Sequence, residues 1–211
     1  VTVIDNLADQ VHDGEPDYLN PDANYVWGDI RDDERVCELL EDADVLSHQA
    51  SAVGIGQSMY EIEHYVNTNT LGTANLLDII VNEGIDLEKM VVASSMAIYG
   101  EGAYECPNCA TVRYPSVRDD GQMQRGDWDH RCSACDTSLT AQPTPESTPR
   151  DSSNVYAITK KDQEELSISI GRAYGIPTVA LRYFNVYGSR QALDNPYTGV
   201  CAIFSSRIKK R

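Results

Sequence analysis

The sequence has 211 residues, of which 41% are hydrophobic and 24% charged, which is typical of a packed globular chain and excludes a disordered or fibrous one. Its 33 acidic against 17 basic side chains give a formal net charge of −16, which disfavours nucleic acid and anionic membranes as partners. We expect no membrane span and no signal peptide, and therefore a cytoplasmic protein. Two interpretations of this acidic charge are open. The protein works in a high-salt cytoplasm, where salt screens the repulsion between its charges, or it is an ordinary acidic enzyme.

Hydrophobic patterning predicts strands and helices that alternate along the chain. The predicted strands are Val1–Asp5, Tyr25–Gly28, Val45–Ala50, Met90–Ser94 and Thr178–Tyr183. The predicted helices are Asp32–Glu41, Ser58 to about Gly84, Asn154 to about Tyr174 and Gly199–Lys210. Because strands that alternate with helices form parallel sheets covered on both faces, we expect an α/β fold with a doubly wound parallel sheet.

Residues 104–138 break this alternation and are predicted to be an inserted module between two parts of the main domain, 1–103 and 139–211. The module carries two Cys-x-x-Cys pairs, Cys106/Cys109 and Cys132/Cys135, with 22 residues between them. This spacing predicts a structural four-cysteine zinc site of the zinc-ribbon kind, because four thiolates leave no open position for catalysis. Iron, two disulfides or a redox pair are the alternatives.

Two motifs predict chemistry in the main domain. Tyr156 and Lys160 are four residues apart in a predicted helix, so they share one face, and a nearby cation favours the ionised form of a phenol. Ser95 follows a buried strand. This placement puts its hydroxyl at the carboxyl end of the sheet, where open α/β folds bind ligands.

Together with residues 3–7, 28–32 and 181–188, these motifs resemble the extended short-chain dehydrogenase/reductase family, in particular its NAD-dependent nucleotide-sugar epimerases and dehydratases of the UDP-glucose 4-epimerase type. The resemblance covers most of residues 1–103 and 139–211. It implies a Rossmann-like NAD-binding domain, a nucleotide-sugar substrate, and a homodimer formed by the helix after Ser58 and the helix that carries Tyr156.

The resemblance also assigns roles to single residues. Tyr156 is the general base, Ser95 hydrogen-bonds the sugar 4-oxygen, and Lys160 holds the nicotinamide ribose and lowers the pKa of Tyr156. Asn185 contacts the diphosphate of the substrate. The other cofactor contacts are Asp5, Asn6, Asp29, Ile30, Ala50, Ser51 and Asn69. A carboxylate at Asp5 repels a 2′-phosphate and so favours NAD over NADP.

The positions after Ser95 indicate the reaction. The family's 4,6-dehydratases carry an Asp-Glu pair there, whereas this chain has Met96 and Ala97, which cannot transfer protons. This difference favours plain oxidation and re-reduction at C4, which is epimerisation. A sugar reductase or 4-dehydrogenase, and a non-catalytic zinc-ribbon protein on a degenerate scaffold, are the alternatives.

Two further features concern the ends of the resemblance. Residues 189–204 are most similar to the dTDP-L-rhamnose 4-epimerase branch, which is a hint about the sugar. The family's first strand with its glycine-rich turn, and most of its sugar-binding domain, have no counterpart in this sequence. We therefore expect a fragment, or a reading frame that was started at the wrong place, whose sheet lacks its central strand.

Overall fold

The fold is built from strands and helices that alternate along the chain, as seen in a computed structural model that describes residues 1–12, 14–191 and 199–209. The strands in these ranges are β1 (Thr2–Asp5), β2 (Asn24–Trp27), β3 (Val45–His48), β4 (Lys89–Ser95), β5 (Tyr104–Cys106), β6 (Thr111–Arg113), β7 (Thr140–Ala141) and β8 (Thr178–Tyr183). The α-helices are α1 (Asp33–Leu40), α2 (Ile55–Ser58), α3 (Ile62–Tyr65), α4 (Gly72–Asn82), α5 (Asp120–Gln124), α6 (Val155–Tyr174) and α7 (Val200–Lys209).

The five strands of the main domain are all parallel, as predicted, but they form two sheets. β1 pairs with β2, and β4 pairs with β3 on one side and β8 on the other. Within the described ranges no strand joins β1 to β3. The parallel sheet predicted from the sequence is therefore seen, in the described residues, as one sheet of two strands and one of three.

Helices α1, α4 and α6 pack around β4, the middle strand of the three-stranded sheet, and contribute to the main core. Leu76, Leu77 and Ile80 of α4 pack with Met90 and Val92 of β4, and all five side chains are at least 96% buried. Contiguous apolar burial of this kind is what stabilises a parallel sheet on its helix-covered face.

The limits of α6 follow from its capping residues. The Asn154 Oδ1 atom accepts a hydrogen bond from the Ala157 backbone N–H at 2.8 Å, which satisfies a donor of the first turn. At the other end Gly175 adopts φ 76°, a left-handed conformation that glycine takes without strain. The predicted helix from Asn154 to about Tyr174 is confirmed.

The region predicted as one helix from Ser58 to about Gly84 is instead several segments. The helix breaks after α2, resumes at α3, passes through a π-helical turn at Val66–Leu71 and continues as α4. Glu61 (φ −113°, ψ 46°) lies outside the helical region and causes the break. The π-helical turn places Asn69 so that its side chain is fully buried and hydrogen-bonded.

The segment predicted as an insertion forms a small antiparallel sheet of order β6-β5-β7. Its own core consists of Cys106, Cys132 and Leu139. Because β5 pairs with β7, the sheet of the module ends three residues beyond the predicted boundary at 138.

Among the described residues, no helix is both long and apolar enough to cross a bilayer. Residues 192–198 of the segment most similar to the rhamnose branch, and Lys210 of the predicted last helix, lie outside the described residues.

Candidate active site

Ser95 and Tyr156 meet at the carboxyl end of β4. Ser95 is the last residue of the strand, and its Oγ accepts a hydrogen bond from the Ala97 backbone N–H at 3.1 Å, which fixes the hydroxyl at the start of the next turn. The same hydroxyl lies close enough to the Tyr156 phenol to lower the pKa of Tyr156. The structure thus brings the two hydroxyls together, so one ligand oxygen could contact both.

Tyr156 is held in place by one contact of its ring and one of its backbone. The ring of Tyr65 packs edge-on against it with centroids 6.4 Å apart, and the Tyr156 backbone N–H donates to the Ser58 Oγ at 3.0 Å. Burial raises the pKa of Tyr156, and the Ser95 hydroxyl offsets only part of that rise. The phenol is therefore protonated at neutral pH in this structure.

Lys160 lies one helical turn after Tyr156 and is buried. Its Nζ donates to the Gln163 Oε1 at 2.7 Å, and burial lowers the pKa of Lys160 to about 8. In this structure burial dominates the pKa of Tyr156, and the Lys160 ammonium is engaged with Gln163. The lowering of the Tyr156 pKa by Lys160 stays a prediction for the site with its cofactor bound.

A buried polar network behind Lys160 was missed by the sequence analysis. The Gln163 Nε2 lies 3.0 Å from the His48 Nε2 and 2.9 Å from the Thr73 Oγ1. The His48 Nε2 also contacts the Thr73 Oγ1 at 2.8 Å. Because α6, α4 and β3 each supply one partner, the network fixes the Lys160 amine relative to the sheet. No sequence motif marks a glutamine three residues after a lysine as its partner.

His48 makes this network sensitive to acid. Burial and, secondarily, the charge of Lys160 lower the pKa of His48 from 6.5 to about 4. Since the unfolded chain binds this proton at higher pH than the folded chain, stability is lost as pH falls from 6.5 towards 4. We expect about 2 kcal/mol more loss of unfolding free energy between pH 7 and 5 in the wild type than in His48→Asn.

Urea unfolding at the two pH values measures this difference. His64→Asn, at an exposed position of α3, is the matched control and should retain the wild-type pH dependence. The same pH dependence in wild type and His48→Asn would show that His48 is not the acid-sensitive group.

Three predicted cofactor residues lie at the ends of β1 and β2. The Asp5 Oδ1 accepts from the Leu7 N–H at 2.8 Å, and the side chain stays 44% exposed. The Asn6 Nδ2 donates to the Asp29 Oδ2 at 3.2 Å, which ties the two strand ends together. A two-bond contact with Arg31, 2.7 Å for each bond, holds the pKa of Asp29 down at about 2. This edge therefore presents the Asp29 carboxylate in a fixed position and in its ionised form at neutral pH.

The remaining predicted cofactor residues surround the end of β3. The Asn69 side chain donates to the Ala52 carbonyl at 3.0 Å and accepts from the Ala52 N–H at 2.7 Å, so it fixes the loop that contains Ala50 and Ser51. Its amide also donates to Thr159 on α6 at 2.9 Å. Asn69 is thus a brace between loop and helix.

Ile30 and Asn185 differ from the other predicted residues. The Ile30 side chain points into the core, where a Cβ on Gly72 would lie 2.7 Å from its Cδ1, so this side chain packs against α4. Asn185 is exposed, two residues after β8, and is not brought into the Ser95–Tyr156 pair by the contacts of the described chain.

A buried ion pair missed by the sequence analysis connects β4, α6 and β8. Arg182 binds the Glu164 carboxylate through two hydrogen bonds of 3.0 and 2.7 Å, and the Ser94 Oγ donates to the same carboxylate at 2.6 Å. Burial raises the pKa of Glu164, but these hydrogen bonds outweigh it and the net effect is a lowered pKa. Since Ser94 precedes Ser95, and Glu164 lies two turns after Tyr156, the pair fixes the strand relative to the helix.

A cavity of about 530 Å³ is lined in part by chain neighbours of Ser95 and Tyr156. Its lining comes from the residues just after Ser95, the residues just before Tyr156, helix α2, the inserted module and the segment after β8. The lining residues are Ile55, Met59, Met96, Ala97, Tyr99, Gly100, Glu101, Gly102, Val117, Thr144, Ser153, Asn154 and Phe184. Met96 directly follows Ser95 and Asn154 lies two residues before Tyr156, whereas Ser95 and Tyr156 are not themselves lining residues.

The four cysteines of the inserted module converge on one point. Their Sγ atoms all lie within 4.8 Å of one another, and Cys135 is 3.5 Å from Cys106 and 3.4 Å from Cys109. Hydrogen bonds with Thr137 and Asn108 lower the pKa of Cys135 to about 5, which favours its thiolate. The arrangement is a four-sulfur cluster within a small sheet.

Comparison with known proteins places this geometry in a family. The model of the NAD dependent epimerase/dehydratase family matches residues 1–118 and 133–211. The dTDP-L-rhamnose 4-epimerase of Burkholderia thailandensis is 35% identical over 213 aligned residues, covering 99% of this chain and 57% of that protein.

Solved structures agree. The UDP-glucose 4-epimerase of Thermotoga maritima with UDP-glucose has a TM-score of 0.73 at 26% identity, covering 99% of this chain and 55% of that one. The UDP-glucose 4-epimerase of Thermus thermophilus in complex with NAD has a TM-score of 0.69 at 29% identity, covering 99% and 54%. This chain spans a little over half the length of these relatives. With the family model matching nearly all of its residues, the chain belongs to the NAD dependent epimerase/dehydratase family.

Proposed function

We propose that this chain carries the chemical centre of an NAD-dependent nucleotide-sugar 4-epimerase. The observation that supports this most is that the Ser95 and Tyr156 hydroxyls lie close together at the carboxyl end of β4, next in the chain to residues that line a cavity of ligand size. The names of its relatives, a dTDP-L-rhamnose 4-epimerase and UDP-glucose 4-epimerases, support the substrate class.

In this mechanism the sugar 4-hydroxyl takes the position between Ser95 and Tyr156. Tyr156 removes the hydroxyl proton and later returns it, while Ser95 donates a hydrogen bond to the same oxygen. NAD, when bound, supplies the acceptor that takes hydride from C4 and gives it back. Because the buried phenol is protonated in this structure, its activation needs positive charge close to Tyr156 in the loaded site.

Lys160 is placed to serve the cofactor ribose. An ammonium group has three donor hydrogens, and the structure uses one on Gln163, which leaves two for ribose hydroxyls. The surrounding edge fits a dinucleotide, since Asp5 is fixed by one backbone bond yet still exposed, and carboxylates bind ribose hydroxyls in such folds. Asn6, Asp29, the Ile30 backbone, Ala50 and Ser51 complete this edge, with Asn69 as the brace.

A dehydratase is disfavoured by the residues after Ser95. Met96 and Ala97 line the cavity where a dehydratase needs an acid and a base, and neither side chain can transfer a proton. Net oxidation or reduction by a 4-dehydrogenase uses the same three residues and is therefore the second candidate. Asn185, exposed after β8, is proposed to contact the substrate diphosphate.

Product analysis separates these candidates. The complete gene product, incubated with NAD and each of UDP-glucose and dTDP-L-rhamnose, is expected to convert one of them into its C4 epimer without net formation of NADH. The absorbance at 340 nm and chromatography of the sugars measure this. Stoichiometric NADH formation would instead support the dehydrogenase, and no sugar conversion with either nucleotide would contradict the proposed function.

The four-sulfur cluster is proposed to hold a structural zinc ion. Tetrahedral zinc with ~2.3 Å bonds to sulfur requires S–S distances of ~3.8 Å, and the observed separations of 3.4 and 3.5 Å with all atoms within 4.8 Å fit this geometry. A disulfide is disfavoured, because Cys135 is about equally close to two partners and all four cysteines are free. The metal would organise the module and takes no part in the reaction.

Homodimerisation is proposed through the helices that the sequence analysis named. Ile62, Val66 and Leu71 on the α3–α4 segment, and Ile158 and Tyr174 on α6, are exposed apolar side chains on elements that pack against each other. Light scattering coupled to size-exclusion chromatography measures the mass directly.

A further inference from the structure

The inserted module meets the candidate active site at one short turn. Gly100 (φ 62°) and Gly102 (φ 86°) flank Glu101, and both have left-handed backbone that favours glycine. A Cβ on Gly100 would lie 2.7 Å from the Asp151 carbonyl oxygen, and one on Gly102 would lie 2.7 Å from the Thr144 Oγ1. The two glycines therefore let the turn press against the segment that returns from the module to α6.

Glu101 fastens the module to this turn. Its Oε2 lies 2.8 Å from the Nε2 of the buried His130 and 3.1 Å from the Arg118 Nη2. The Arg118 Nε donates in turn to the Trp128 carbonyl at 3.1 Å, and the Tyr104 ring packs against the His130 ring with centroids 4.8 Å apart. One carboxylate thus holds two separate segments of the module.

This attachment brings a module side chain to the cavity that is lined in part by chain neighbours of Ser95. Val117, directly before Arg118, is the one lining residue that comes from residues 104–138, and its side chain is 56% exposed. The other lining residues include Met96 and Ala97, which follow Ser95, and Asn154, which lies two residues before Tyr156. Because Met96 adjoins Ser95 in the chain, this cavity is the space we assign to the substituents next to C4 of a sugar held by Ser95 and Tyr156.

The chemistry of the cavity favours an apolar substituent. Ile55, Met59, Met96, Val117 and Phe184 supply large apolar side chains. Of the lining residues only Glu101 carries a charge at neutral pH, and its carboxylate is occupied by His130 and Arg118. A carboxylate on the sugar would find no cation among these side chains, and burying an unpaired charge is costly. A methyl group gains from the apolar contact.

We propose that Val117 is a specificity-determining residue of the reaction, positioned by Glu101, and that it selects sugars with a methyl group over sugars with a carboxylate at C5. This inference rests on the proposed 4-epimerase function. It assigns the inserted module a role in substrate choice, because the module supplies the wall of the cavity that distinguishes the two substituents.

Val117→Lys in the complete gene product tests the inference. The substrates are 6-deoxyglucose and glucuronate, each carried on UDP and on dTDP, because within each pair only the C5 substituent differs. We expect Val117→Lys to shift the ratio of kcat/KM values towards the glucuronate by at least tenfold, mainly through KM. Val112→Lys is the matched control, since Val112 is equally exposed on the same module but does not line the cavity. Its ratio should remain that of the wild type.

Glu101→Gln supplies the second arm. It keeps the shape of the side chain but weakens its hold on Arg118, so we expect a raised KM for the 6-deoxy sugar with kcat changed less than twofold. If Val117→Lys leaves the substrate ratio within twofold of the wild type, Val117 does not determine specificity. If the wild type epimerises none of these sugars, the proposed function fails separately. The same preference is then measured as calorimetric binding of the four nucleotide sugars, and an unchanged binding ratio in Val117→Lys overturns the inference.

Discussion

Replacing Tyr156 by phenylalanine is expected to lower kcat for C4 epimerisation by 10²–10⁴-fold, the range that a positioned acid–base group contributes. The fold should remain intact. The ring keeps its edge-on contact with Tyr65, and Ser95 keeps its hydrogen bond from the Ala97 N–H, so no buried polar atom of Ser95 is left without a partner. Steady-state kinetics of the complete gene product, with circular dichroism for the fold, measure both parts.

The matched control is Tyr174→Phe. Tyr174 is the last residue of the same helix and is 58% exposed, so the identical chemical change there should leave kcat within twofold of the wild type. A Tyr156→Phe variant that keeps more than a tenth of wild-type kcat would show that another group moves the proton.

The second large effect concerns the inserted module. Cys132→Ser is expected to abolish binding of one zinc ion per chain and to unfold residues 104–141 locally, since a structural zinc site contributes roughly 10–16 kcal/mol and the module has a core of only three side chains. Elemental analysis gives the metal content. Amide hydrogen exchange of β5, β6 and β7 should rise to that of an unprotected segment while β4 stays protected.

Cys201→Ser is the control, because Cys201 is an exposed cysteine on α7 outside the cluster. It should retain one zinc ion and wild-type exchange. If the same elemental analysis finds iron instead of zinc, the identity of the metal changes but the assignment of the four cysteines as its ligands does not. A wild-type protein without metal and with slow exchange in Cys132→Ser would contradict the structural metal.

The patterns that allowed prediction are local ones. Asn154 and Gly175 mark the ends of α6 because capping depends on a few neighbouring residues, and both are visible in the sequence. The spacing of the two Cys-x-x-Cys pairs likewise predicts that their four sulfur atoms cluster. The parallel arrangement of the five main strands followed from their alternation with helices.

What could not be predicted depends on contacts between distant segments. The Gln163–His48–Thr73 network joins residues up to 115 positions apart, and each is an ordinary polar residue in its own element. The burial that raises the pKa of Tyr156 is likewise a tertiary property, which the local sequence does not reveal. The break at Glu61 was missed because the apolar spacing continues across it.

Ser95 and Tyr156 are proposed to act on the sugar 4-hydroxyl during a transient oxidation at C4. Epimerisation of a nucleotide sugar deuterated at C4, followed by mass spectrometry of the product, tests it most directly. The mechanism predicts that the product retains the deuterium at C4, because the hydride leaves and returns on the same cofactor. A product that has exchanged this deuterium for solvent hydrogen would contradict the account.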